Sequence, residues 1–145
     1  MFEKGRPFRV IAALELLAVL YGIVLFVPAA SFGDAVARVP ITAGTDNQGN
    51  EHLVRKMLTT KFPLCLVAME LAAQLSERHL DLRLEWRPRE QNTEADSLTN
   101  EDFAGFDPAR RLDAAVVRHR LVCLPELEAA TREWRRSRIN PGMEA

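Results

Sequence analysis

The sequence predicts an α/β fold: a parallel βαβ core with helices packed against it. Three observations carry this. A short apolar segment, residues 39–45, ends in Thr45-Asp46-Asn47-Gln48-Gly49-Asn50, a strand-to-helix junction. Residues 81–87 alternate Leu82, Leu84 and Trp86 with Arg83, Glu85 and Arg87, the period of two of a strand with one packed face. Between them lie two helical patterns, at 50–58 and 64–79. Two strands flanking a helical crossover pair in parallel.

In chain order, residues 10–27 come first, an almost wholly apolar run after Lys4, Arg6 and Arg9 and before Ala29-Ala30-Ser31. A basic start, an apolar stretch and small residues make up a secretory signal or a membrane anchor. The same run also reads as a helix buried against a sheet. Glu15 inside it opposes the first two, because a carboxylate in lipid costs about 2.5–3.5 kcal/mol on insertion scales. From this segment alone both readings stand. Residues 31–38, with Gly33 and Asp34, read as a loop. The strand at 39–45 tolerates Pro40 near its start. Pro63 breaks the first crossover helix and opens the second. In that second helix Leu64, Val67, Ala68, Leu71, Ala72 and Leu75 form the apolar face, and Glu70, Gln74 and Glu77 are expected away from it. Pro88 ends the second strand. Asn92 or Thr93 then caps a short helix with Asp96 in its first turn. Phe103, Phe106 and Pro108 mark an irregular packed segment, and residues 112–121 are compatible with helix or extended chain. A terminal helix is expected over 125–138, stopped by Asn140-Pro141-Gly142.

The 145 residues suit one domain, and 48% hydrophobic with 27% charged residues is a globular composition. A net charge of −1 gives no broad basic footprint, so a nucleic-acid partner needs a local patch or bound metal ions. Cys65 and Cys123 lack metal-type spacing and read as buried reduced thiols. His52, His79 and His119 are scattered, which argues against zinc, and no glycine-rich phosphate loop is present.

In a parallel βαβ pair, the end of the first strand and the loop after the second share one sheet edge. That brings Asp46 towards Asp96, and Glu15, on a helix packed against the sheet, is a candidate third member. A divalent cation would compensate all three acids, and carboxylate-only sites favour Mg²⁺ or Mn²⁺.

Thr45-Asp46-Asn47, the segment Trp86-Arg87-Pro88 to Asn92-Thr93-Glu94-Ala95-Asp96-Ser97-Leu98, and the helix around Ala13-Leu14-Glu15-Leu16-Leu17-Ala18 together resemble the ribonuclease H-like domain of retroelement (retrotransposon) reverse transcriptases. The similarity spans roughly residues 9–100. It implies metal ligation and catalysis by Glu15, Asp46 and Asp96, with Mg²⁺ or Mn²⁺ as cofactor. It further implies two-metal hydrolysis of RNA in RNA–DNA hybrids, and a reverse transcriptase domain in the parent polypeptide. It favours the buried-helix reading of 10–27, with no membrane, and an intracellular (cytoplasmic or nuclear) location over secretion. The family's first catalytic aspartate lies on a strand before the glutamate helix and has no counterpart here, since Asp34 follows that helix. The expectation is therefore an incomplete, N-terminally truncated ribonuclease H-like domain over 1–112 and a C-terminal helical extension over 113–145, with weak or no cleavage. Two alternatives stand beside it: a non-catalytic remnant that binds nucleic acid, and a secreted or anchored protein with 10–27 as its targeting segment.

Overall fold

The computed structural model describes residues 10–29 and 37–139, with side chains to residue 136. Lys4, Arg6, Arg9, Asp34 and the 140–142 stop lie outside the described residues. The apolar run forms one helix, α1 (Ile11–Phe26), which buries Ala13, Leu16, Leu20, Ile23 and Val24 on one face. Among the described residues no helix is long and apolar enough to cross a membrane. Strand β1 (Val39–Thr45) follows, then α2 (Gln48–Lys56) and α3 (Leu64–Glu77), then β2 (Leu80–Trp86). The two strands pair in parallel, from Val39 with Leu80 to Thr45 with Trp86. The chain is thus mixed α/β with a two-stranded parallel sheet, as expected.

One face of the sheet is covered and the other is polar. Leu80, Leu82 and Leu84 are buried, whereas Asp81, Arg83 and Glu85 are exposed. The core joins that covered face to α1, α2 and α3 and includes Val117 of the short helix α5 (Ala115–Arg118). Trp86 corrects the alternation: it is 42% exposed, and its Nε1 donates to the Asp46 carbonyl at 3.2 Å. At the last register position the ring lies over the strand-to-helix junction instead of entering the core.

A second correction concerns α3. Glu70 and Gln74, expected on the polar side, are fully buried. The reason lies far along the chain. Helix α6 (Leu124–Ile139) starts against α3, and Glu70 accepts the backbone N–H groups of Val122, Cys123 and Leu124, each at 2.7 Å. A carboxylate there satisfies donors that a helix start otherwise leaves orphaned, at the positive end of its dipole. Gln74 donates to Glu70 at 2.6 Å and to the Arg120 carbonyl at 2.8 Å. Arg78 donates to the Gln74 side-chain oxygen and to the Val27 carbonyl, which ties the end of α1 to the same network. Burial alone would push the Glu70 carboxyl up, but hydrogen bonds from Val122, Gln74, Cys123 and Leu124 together hold it below the usual carboxylate range. Burial and the adjacent Glu70 charge push the Cys123 thiol up to about 11. Cys65 and Cys123 are free thiols and half-buried, less enclosed than expected.

Candidate functional site

The site forms at the carboxyl edge of the sheet, where open α/β folds hold their ligands. Asp46 leaves β1 directly, and the turn is fixed by its neighbours. The Thr45 hydroxyl accepts the Asn47 N–H at 3.1 Å, and the Asn47 side chain caps α2 by accepting the Asn50 N–H at 3.2 Å. Asn47 therefore does the capping, and the Asp46 carboxylate is left for other partners. Asn50 is buried, and its side-chain nitrogen donates to the Ala12 carbonyl at 2.9 Å, locking α2 to the start of α1 one turn before Glu15.

On the second strand the Pro88 turn leads through a short 3₁₀ segment, Arg89–Gln91, into α4 (Thr93–Thr99). Asp96 lies in the first turn of α4, as expected, while Asn92 precedes the helix without a side-chain capping bond. Arg89 joins the two aspartates: its Nε lies 3.7 Å from Asp46 Oδ2 and 3.7 Å from Asp96 Oδ2.

Glu15 approaches the same place from α1. Burial raises its carboxyl above the usual range and the Asp46 charge adds to this, while a hydrogen bond from the Asn47 side chain and the Arg89 charge oppose it. Asp46 and Asp96 thus share one guanidinium, and Glu15 lies near enough to feel the charges of Asp46 and Arg89. Arg89 itself was not singled out in the sequence, where it stands inside the charged run Arg87-Pro88-Arg89-Glu90.

The donor chemistry suits a hard divalent cation, being entirely carboxylate oxygen. One Glu15 oxygen, Oε2, is buried without a hydrogen-bond partner, a state that a cation would relieve. Among the described residues no three such side chains converge closely enough to hold an ion. The cation that Asp46 and Asp96 share in this arrangement is a guanidinium.

An orphaned, partly charged oxygen costs about 1–3 kcal/mol. Because Glu15 has a raised carboxyl in the fold, its contribution is most favourable below the ordinary carboxylate pKa and is lost as pH rises through its folded value. Glu15→Gln should therefore raise the melting temperature at pH 7 in metal-free buffer, by roughly 3 °C for about 1 kcal/mol. The gain should vanish near pH 4. Calorimetry across that range checks it, and a loss of stability at pH 7 would contradict the strained-acid account.

No family model, curated protein or solved structure matches this chain.

Proposed function

We propose that this chain is a ribonuclease H-like domain of retroelement type, with Glu15, Asp46 and Asp96 as the carboxylates of a Mg²⁺- or Mn²⁺-dependent site acting on RNA–DNA hybrids. The observation that supports the reading is the pairing of Asp46 and Asp96 through Arg89 at the carboxyl edge of a parallel strand pair, with Glu15 under the charge of Asp46 and its Oε2 buried and unpartnered. Three elements far apart in sequence deliver the acids that the motifs single out.

A divalent metal held by Glu15, Asp46 and Asp96 would lower the pKa of a bound water and neutralise charge on the departing oxygen. The chain's own residues do the rest. Asn47 caps α2 beside Glu15, whose charged form it favours. Trp86 grips the Asp46 carbonyl and fixes the direction of the strand end. Arg89, exposed beside the acids, offers a guanidinium to a phosphate oxygen. The chain supplies three carboxylates where the family uses four, so its own cleavage is expected to be slow. The test is Mn²⁺- or Mg²⁺-dependent cleavage of a labelled RNA–DNA hybrid, with Asp46→Asn as control. Metal-dependent cleavage lost in that variant supports the site; cleavage that survives it removes Asp46 from the chemistry.

Slow or absent cleavage with retained hybrid binding is the signature of the second reading, a non-catalytic nucleic-acid-binding module. The exposed guanidinium of Arg89 at the site favours it as the fallback.

A further inference from the structure

A groove of about 980 Å³ runs between α2, the start of α1 and residues 58–64, and Ala12, Leu53, Leu58, Phe62 and Leu64 give it apolar walls. Leu53 and Leu64 belong to the core, but Leu58 is 76% exposed and Phe62 37%, and Met57 beside them is also 37% exposed. Single apolar side chains in water are ordinary; a cluster of large ones between residues 57 and 62 marks a surface that meets a partner. The segment that carries them is braced. Met57 ends α2 in the left-handed region, with its N–H on the Leu53 carbonyl at 2.6 Å. The Thr59 hydroxyl accepts the Lys61 N–H at 3.2 Å, and the Arg135 guanidinium of α6 lies 4.4 Å from the centre of the Phe62 ring. The wall is thus held in place, and docking on it orders little that is not already ordered.

The rim carries one sign of charge. Lys56 and Lys61 line the groove, both are exposed, and neither forms an ion pair among the described residues. No carboxylate of the described residues lines it. Three other grooves each carry at least one acid: Glu128 and Glu133 in one, Glu77 in another, Glu51 and Asp81 in the third. In a chain of net charge −1 the acid-free groove is a local exception. An apolar trough flanked by two ammonium groups complements a bulky apolar side chain with carboxylates close to it. A small molecule fits poorly, because such sites enclose most of their ligand and a wall exposed to the extent of Leu58 does not. A sugar–phosphate strand would meet the lysines and leave the apolar walls wet. A polypeptide brings both the apolar anchor and the bulk that covers Leu58 and Phe62.

We infer that this groove docks a short acidic segment of another protein. A bulky apolar residue of that segment seats against Leu58 and Phe62 above Leu53 and Leu64, and Asp or Glu side chains next to it reach Lys56 and Lys61. The apolar contact supplies the affinity. The two lysines select the partner, since basic segments are repelled. Rim pairs of this kind are screened by salt, so affinity falls as ionic strength rises. The inference uses neither the acidic edge nor a metal, and stands apart from the nuclease reading.

The full chain is panned in EDTA against a library of random short peptides, and enriched peptides are then measured by fluorescence anisotropy. Enriched sequences should pair Leu, Ile, Met, Phe or Trp with nearby Asp or Glu. Leu58→Asp should weaken their binding by roughly tenfold or more, the loss that follows when an apolar anchor site is removed. Lys56→Glu/Lys61→Glu should weaken it by about tenfold at low salt, and should accept peptides whose acids are replaced by Lys, which the wild type refuses. All three side chains are exposed, so the variants keep their fold, which their melting temperatures verify. No enrichment, enrichment of Lys- and Arg-rich peptides, or binding indifferent to either variant overturns the inference. Displacement of the peptides by an equal concentration of short RNA–DNA hybrid, with the same lysine dependence, also overturns it and gives the groove to nucleic acid.

Discussion

Glu70→Ala should lower stability by about 4 kcal/mol, on the order of 10 °C in melting temperature. The residue is fully buried and carries the backbone donors of Val122, Cys123 and Leu124 as well as the Gln74 amide. Truncation leaves all of them without their acceptor in a place water does not reach, and opens a void. Typical domains are stable by about 5–15 kcal/mol, so this is a large share. Glu70→Gln should lie between the two, because its amide nitrogen meets N–H donors where an oxygen is needed. The carboxyl is held below its ordinary value, so its contribution is present above pH 4.5 and lost as pH falls through the lowered value. The gap between wild type and Glu70→Ala should accordingly narrow below that pH. A variant melting within a degree or two of wild type at pH 7 would show that α6 is not anchored through this carboxylate.

Arg89→Glu should tighten Mn²⁺ binding by roughly a hundredfold, and Arg89→Gln by about tenfold. The Arg89 side chain is 75% exposed, so its two ion pairs add little to folding and the substitutions leave the chain folded. Their effect falls on cation binding. A guanidinium 3.7 Å from an oxygen of each aspartate competes with an incoming ion for both. Unit charges about 4 Å apart interact by about 1 kcal/mol in water and about 4 kcal/mol at an effective dielectric of 20, so removing one cation from two carboxylates is worth at least a factor of ten. Arg89→Glu goes further and supplies a fourth carboxylate at the place where the set of three is short. Titration followed by the electron paramagnetic signal of free Mn²⁺ measures it, at low ionic strength. Equal affinities in wild type and both variants would mean that the ion, if bound, lies away from Asp46 and Asp96.

Much of this arrangement is legible in the sequence because it is written in local patterns. The apolar repeat of α3 and the alternation of β2 each describe one face of one element. The parallel pairing follows from their order. The junction at Asp46 and the first-turn position of Asp96 are likewise short-range features. What was hidden depends on partners distant in sequence. Glu70 and Gln74 sit at polar positions of a helical pattern and look solvated; their burial is dictated by the Arg120 carbonyl and the N–H donors of residues 122–124. Trp86 continues an apolar alternation, yet a carbonyl forty residues earlier draws its indole outward. Arg89 sits in a charged run with no pattern to distinguish it, and only the meeting of two strand ends gives it two carboxylates. A signal did exist for Glu70: a buried-type helix with an acid and an amide one turn apart asks for a partner, though not which one.

The Glu70 network also bears on the order in which the chain can close as it is made. Its donors lie 52, 53 and 54 residues downstream. When α1, both strands and α3 have left the ribosome, the carboxylate on α3 has none of them. Enclosing it then would cost several kcal/mol, the desolvation of an unpaired charge. Until residues 122–124 emerge, that side of α3 lacks its cover and the carboxylate keeps its water. The C-terminal segment therefore closes the Glu70 side of the core last in chain order.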